Sequence, residues 1–77
     1  MKRINVESSQ IRSVGYDCQS LILEIEFKNN RVYQYRNVTA LIICQLIFAE
    51  SVGSFFMKNI KNNYEFEEIK YLREEIK

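Results

Sequence analysis

Two tyrosines flanked by two arginines stand out in the segment from Arg31 to Arg36. Aromatic rings stack on unpaired nucleobases, and guanidinium groups bind phosphates. Tyr33 and Tyr35 are two residues apart, so in a β-strand both rings lie on the same face. An exposed pair would form a platform for bases, worth about 1–3 kcal/mol per stacked base. A buried pair would belong to the core.

The loop Ser51–Ser54 is a second candidate binding element, because it lies at the start of a predicted helix. Backbone N–H groups and the helix dipole at such a position attract anions. Lys58 and Lys61 follow one and two turns later, and Arg12 is a further cation that could join them. This segment is therefore either a phosphate-binding patch or an ordinary helix cap with a solvated basic face. The full set of candidate nucleic-acid or anion-binding residues is Tyr33, Tyr35, Arg31, Arg36, Ser51, Gly53, Ser54, Lys58 and Lys61.

Residues typical of catalysis and metal binding are scarce. The chain has no histidine, a single aspartate (Asp17), and two cysteines, Cys18 and Cys44, that lie far apart in sequence. No nucleophile–base pair or metal-ligand spacing results. We therefore predict a protein that is not an enzyme and holds neither metal nor cofactor. The absence of a disulfide framework favours a cytoplasmic location.

Length, composition and charge describe one small globular domain. The chain has 77 residues, of which 47% are hydrophobic and 27% charged, and its net charge is +1. Residues 1–64 carry eight basic and five acidic side chains, whereas residues 65–77 carry three and five. The body is mildly basic and the tail acidic. The longest apolar run, Ala40 to Cys44, is too short to span a bilayer, and we expect no membrane association.

Alternating hydrophobic residues predict three consecutive strands. Leu21 to Lys28 has a clear period of two, Arg31 to Tyr35 follows after a turn, and Ile11 to Tyr16 precedes both. Gly15 suggests a bulge or a close approach of another backbone segment, and the polar segment 17–20 suggests a turn.

The turn at Asn29-Asn30 leaves two hairpin registers open. A two-residue loop places Phe27 opposite Val32 and exposes both tyrosines. A three-residue loop, residues 28–30, places Phe27 opposite Arg31 and turns the tyrosines toward the core. The first register would bury Gln34 and Arg36 among apolar residues, at about 1–3 kcal/mol for each unpaired group. This cost favours the second register.

Helices are predicted in the second half of the chain. Thr39 is a plausible N-cap for a helix over 40–49, a second helix covers 54–61, and spacings of three and four residues predict a third over 65–77. The fold expected is α+β, a three-stranded antiparallel meander followed by two to three helices packed on one face. The residues expected in the core are Leu23, Ile25, Phe27, Ile42, Leu46 and Phe56.

The helix over 40–49 has more apolar surface than one sheet face can cover. Ile42, Leu46 and Ala49 form one stripe, while Leu41, Cys44 and Phe48 form another. The second stripe is covered either by the C-terminal segment within the monomer or by a partner. We predict a homodimer through Leu41, Cys44 and Phe48.

The order of these motifs resembles the KTSC domain family. The matching segments are Ser8–Ile11, Val14–Asp17, Leu23–Phe27, Val32–Tyr35 and Ala49–Phe56, followed by Ile60 and Tyr64. Thr39 stands where the family usually has proline, and Met57 where it usually has asparagine. The resemblance divides the chain into a KTSC-like domain over 1–64 and a helical extension over 65–77.

The resemblance implies a stand-alone bacterial or phage protein, related to a domain at the C-terminus of some lysyl-tRNA synthetases. It suggests a non-catalytic module that binds RNA or another phosphate-bearing ligand. A protein-interaction module, homodimeric or bound to a host factor, is the alternative.

Overall fold

The sheet has five strands, two more than the alternation predicts. The computed structural model describes residues 3–70. Its elements are β1 Arg3–Asn5, β2 Ile11–Asp17, β3 Ile22–Phe27, β4 Val32–Tyr35, α1 Ala40–Ile47, α2 Val52–Asn59 and β5 Phe66–Ile69. Every strand pairs antiparallel with its neighbour in the order β1-β2-β3-β4-β5. The α+β class is confirmed, and the predicted meander forms the centre of a larger sheet.

The helix predicted over 65–77 is wrong where the structure describes it. Phe66–Ile69 is strand β5, which pairs with β4 so that Tyr35 lies opposite Phe66. The Arg36 N–H also donates to the Glu65 carbonyl over 2.9 Å. The free edge of β4 supplies backbone hydrogen-bond partners that a local apolar spacing does not reveal. Residues 71–77 of the predicted helix lie outside the described residues.

The β3–β4 hairpin adopts the three-residue loop. The Phe27 N–H donates to the Arg31 carbonyl over 2.8 Å. Asn30 has a φ of 72°, in the left-handed region that asparagine tolerates. Tyr33 lies opposite Ile25, and Tyr35 opposite Leu23. Both tyrosines therefore share the core face. The cost of burying Gln34 in the other register predicts this arrangement.

The irregularity in β2 lies elsewhere than expected. The register shifts between Ile11 and Ser13, whereas Gly15 pairs regularly with Arg3 on one side and Glu24 on the other. Of the two alternatives at Gly15, the bulge is therefore wrong. The turn after β2 forms as expected, because both Asp17 carboxylate oxygens accept bonds, from the Gln19 N–H and the Ser20 hydroxyl.

Both helices pack on the same sheet face. Leu23, Ile25, Leu46 and Phe56 are fully buried there, as predicted. Phe27 and Ile42 only pack at the margin of the core. The remaining buried apolar residues are Ile11, Val14, Val32, Tyr35, Val38, Ile43, Val52 and Ile60.

Helix starts differ slightly from expectation. Thr39 is the N-cap of α1 but makes no side-chain cap bond. Helix α2 begins at Val52 rather than Ser54, because the Ser51 hydroxyl accepts the Ser54 N–H over 3.2 Å. Such a cap satisfies one of the N–H groups that have no partner within the helix.

Candidate nucleic-acid interface

Five aromatic rings meet where α2 covers the β4 end of the sheet. Tyr35 contacts Phe56 edge to face, with ring centroids 5.4 Å apart, and Phe27 contacts both Tyr33 and Phe56 at 5.6 Å. Phe66 of β5 completes the cluster, 5.6 Å from Tyr33 and 5.4 Å from Tyr35. These rings line an open cavity of about 400 Å³, which we call the aromatic pocket.

The rings differ in depth. Tyr35 and Phe56 are 3% and 1% exposed and belong to the core, whereas Phe66 is 52% exposed. Tyr33 is half-buried between them. The aromatic pocket thus has a wall that is buried in the core and a rim that is accessible to solvent. The sequence leaves open whether the tyrosines are buried or exposed. In the structure Tyr35 is buried in the core, whereas Tyr33 is half-buried and lines the cavity.

The other lining residues are polar or cationic. Arg31 follows the hairpin loop, and Lys61 follows α2; both are exposed. Gln10, Asn29 and Asn62 add amide groups, which both donate and accept hydrogen bonds. No acidic residue lines the pocket among residues 3–70. The aromatic pocket therefore combines flat apolar surface with positive charge.

Tyr35 remains a neutral phenol throughout the physiological range. Burial, and to a lesser degree the neighbouring Tyr33, raises the pKa of Tyr35 to about 12. Ionisation would place a charge in a poorly solvated position. The hydroxyl therefore keeps its proton and can donate a hydrogen bond at neutral pH.

A second cavity of about 220 Å³ adjoins the first, and we call it the serine pocket. Its lining residues are Ser8, Ser9, Gln10, Ser51, Gly53, Ser54, Met57 and Lys58. The predicted loop at the start of α2 does line a cavity. The Ser54 N–H is already bonded to Ser51, however, so the polarity of this pocket comes mainly from hydroxyl groups and Lys58.

The two pockets contain eight of the nine candidate residues. Tyr33, Tyr35, Arg31 and Lys61 line the aromatic pocket, and the serine pocket takes the other four. Arg36 lies apart and forms an exposed ion pair with Glu67, 2.5 Å between Nη2 and Oε1. Arg12 instead donates to the Lys28 carbonyl.

Sequence reasoning missed Phe66, Gln10 and Asn62 as pocket residues. The apolar spacing predicts a helix at Phe66, and only the pairing of Phe66 opposite Tyr35 brings its ring to the pocket. Gln10 and Asn62 come from irregular segments with no periodic signal. The alternation predicts Phe27 in the core, whereas in the structure its ring forms part of the pocket wall.

The sheet face turned away from the helices is a poor surface for a polyanion. Glu24 is 4% exposed and accepts a bond from Gln34 over 2.8 Å, while Arg3 lies 3.1 Å from its other oxygen. Ser13 donates to Glu26 over 2.8 Å on the same face. These carboxylates, with Glu67 beside Gln34, are occupied in cross-strand contacts. Nucleic acid would meet acidic groups there rather than aromatic rings.

The outer surface of α1 is apolar and exposed. Leu41 is 66% exposed and Phe48 85%, and Cys44 is also exposed. The buried stripe is centred on Ile43 and Leu46, with Ile42 half-buried, so the inward face is rotated from the predicted one. Residues 66–69 pair with β4 and do not cover the exposed stripe.

Metal and membrane features are absent from the part of the chain described. Among residues 3–70, no group of three histidine, cysteine, aspartate or glutamate side chains is placed to hold a metal ion. No helix in the same range is long and apolar enough to cross a bilayer.

The fold defines a small α+β domain, a five-stranded antiparallel sheet with two helices on one face. The KTSC domain model matches residues 7–64, and the chain belongs to this family. An uncharacterized protein of Stutzerimonas stutzeri is 39% identical over 61 residues, 79% of this chain and 86% of the relative. A protein of Tsukamurella paurometabola is 36% identical over 59 residues, 77% and 88% of the two chains.

A solved structure has the same fold. The crystal structure of a KTSC domain protein from Yersinia pestis has a TM-score of 0.87 and 36% sequence identity. The match covers 90% of this chain and 97% of the other.

Proposed function

We propose that this KTSC domain is a non-catalytic module that binds single-stranded RNA through the aromatic pocket. The observation that carries the proposal is the meeting of exposed aromatic surface with two cations in one cavity, Tyr33 and Phe66 beside Arg31 and Lys61. Any of the four bases can stack on an aromatic ring, and cations bind the backbone phosphates. Glu24, Glu26 and Glu67 lie on the opposite sheet face. Glu68 pairs opposite Tyr33 and shares the face of the pocket, but it is not among the residues that line the pocket.

The lack of catalytic groups in the pocket supports a binding role. Its ionisable lining residues are two cations and two tyrosines, and Tyr35 stays protonated at neutral pH. Within the described part of the chain, the pocket lining contains no general base or activated nucleophile. Binding without turnover is the function this set of side chains supports.

Fluorescence anisotropy with a labelled, mixed-sequence oligoribonucleotide tests the proposal. Phe66→Ala removes the exposed ring, and we expect a loss of about 1–3 kcal/mol in binding. Arg31→Gln should weaken binding and lower the slope of log affinity against log salt by about 0.7. Circular dichroism checks that each variant is folded.

Arg36→Gln is the matched control for Arg31→Gln. Both arginines flank β4, but Arg36 is paired with Glu67 outside the pocket. We expect its affinity and salt slope to stay close to those of the wild type. Equal effects of the two substitutions, or no binding by folded wild-type protein at low salt, would refute the pocket as an RNA site.

As a second candidate function, we propose self-association through the exposed face of α1. The observation behind it is the 85% exposure of Phe48 beside exposed Leu41. The helix carries no charged residue between Ala40 and Ala49, so a second copy presents an equally neutral, apolar surface. A twofold axis would bury both patches.

The expected dimer is weak. A phenylalanine has about 150–250 Å² of surface to bury, whereas a standard interface takes about 800 Å² from each partner. A few side chains of α1 supply less than half of that area. Light scattering over a range of concentrations should therefore show a concentration-dependent mass.

Phe48→Glu should abolish the association, while Gln45→Glu adds the same charge to α1 outside the stripe and should retain it. A strictly monomeric wild type at high concentration would exclude this second function. A dimer that Phe48→Glu leaves intact would place the interface elsewhere.

A further inference from the structure

The aromatic pocket and the serine pocket are neighbouring sections of one surface. Gln10 and Met57 line both cavities, and Met57 is 41% exposed at their shared border. Helix α2 runs along both, with Gly53 and Ser54 beside the serine pocket and Lys61, just after the helix, beside the aromatic one. From Ser54 to Lys61 the chain rises on the order of 10 Å at helical pitch. This surface extends well beyond a single stacked base.

The two pockets differ in chemistry. Five rings line the first, whereas hydroxyl groups and the Lys58 ammonium line the second, which has no aromatic lining residue within residues 3–70. Lys58 lies in the last turn of α2 and Lys61 lies just after the helix, and each lines a different pocket. Each cavity therefore has its own cation, but only the aromatic pocket can stack a base. The serine pocket suits a phosphate and sugar.

The serine hydroxyls are held in place by local bonds. Ser8 Oγ accepts the N–H groups of Gln10 and Ile11, each over 3.2 Å, and a hydroxyl group can also donate its proton to a ligand. The same oxygen lies 3.0 Å from the position that a Cβ would take on Gly53. The missing side chain at Gly53 thus lets the segment before β2 approach α2 closely enough to form the pocket.

Resting on the proposed RNA-binding function, we propose that the ligand occupies at least a dinucleotide step. One base stacks in the aromatic pocket, with Arg31 and Lys61 at its rim. The phosphate and sugar of the adjoining nucleotide lie in the serine pocket, where Lys58 and the hydroxyls of Ser8 and Ser54 bind them. The preferred ligand is an unpaired oligonucleotide rather than a free mononucleotide.

The experiment compares adenosine monophosphate with a terminally phosphorylated diadenylate, using amide chemical shifts in a nitrogen-15 NMR titration. We expect the dinucleotide to bind roughly tenfold more tightly, through charge-assisted hydrogen bonds in the second pocket. The mononucleotide should shift amides near Tyr33 and Phe66 only. The dinucleotide should in addition shift those near Ser8 and Ser54.

Variants separate the two pockets. Lys61→Gln should weaken both probes, whereas Lys58→Gln should weaken only the dinucleotide. Gly53→Ala presses a methyl group against Ser8 Oγ without straining a helical backbone, and alanine favours the helix. This variant should fold and lose the dinucleotide advantage while keeping mononucleotide affinity.

The possible outcomes distinguish a failure of the dinucleotide step from a failure of the proposed RNA-binding function. Equal affinity for the two probes, or equal losses for both probes in Lys58→Gln, would overturn the dinucleotide step and leave RNA binding in place. No binding of either probe or of the longer oligoribonucleotide by folded wild type would overturn the proposed function itself.

Discussion

Removing the carboxylate of Glu24 should destabilise the domain. Glu24 lies on the sheet face that no helix covers, yet its side chain is buried. The Glu24 side chain is 5% exposed, with Arg3 Nη1 3.1 Å from one oxygen and Gln34 Nε2 2.8 Å from the other. Arg3 Nη1 is itself buried and has no hydrogen bond of good geometry among the described residues. The Glu24 carboxylate is therefore the charge that compensates this guanidinium.

The magnitude follows from the burial of each partner. Breaking a fully buried ion pair costs about 3–5 kcal/mol. The Arg3 side chain keeps 28% exposure, so part of its charge can regain water in Glu24→Ala, and we expect about 2–3 kcal/mol. A domain of this length is stable by roughly 4–11 kcal/mol. The loss should be plain in a urea denaturation curve.

Two comparisons make the reasoning refutable. Glu67→Ala breaks the exposed pair with Arg36, whose side chains are 57% and 45% exposed, and should cost less than about 1 kcal/mol. Adding Arg3→Met to Glu24→Ala removes both charges and should recover part of the stability. An unchanged midpoint for Glu24→Ala, or a double variant as unstable as the sum of the two single ones, would show that charge compensation is not what Glu24 provides.

Two further predictions concern the core. Leu23→Ala, at a side chain with 0% exposure, should cost about 2–5 kcal/mol by leaving a cavity; the exposed Leu41→Ala is its control, and equal urea midpoints would contradict the assigned strand face. Because the pKa of Tyr35 is raised to about 12 from an ordinary value of 10, the native state holds that proton more tightly, and stability should fall as pH rises from about 10 to 12. Tyr35→Phe should make stability less dependent on pH in this range. Part of the dependence should remain, because burial also raises the pKa of Tyr16. An unchanged pH dependence in Tyr35→Phe would refute the raised pKa of Tyr35.

Several features could be predicted from the sequence because neighbouring residues encode them. The alternation through Leu23 and Ile25 reports a strand with one buried face, and the cost of burying Gln34 selects the hairpin register that the structure adopts. The apolar excess of α1 likewise predicts the exposed stripe that includes Phe48. The candidate cations were found by type alone, and two of the arginines, Arg12 and Arg36, lie outside both pockets.

Tertiary structure decided the edges of the sheet and the shape of the site. Three residues of β1 are too few for a period to be read, and β5 exists because the exposed edge of β4 offers unpaired backbone groups to a segment some thirty residues later. That pairing carries Phe66 to Tyr33, and the packing of α2 brings Lys61 to the same cavity. Periodicity within one segment determined which faces are apolar. Only contacts between segments distant in sequence determined which side chains meet, because those contacts depend on edges and packing that no single segment contains.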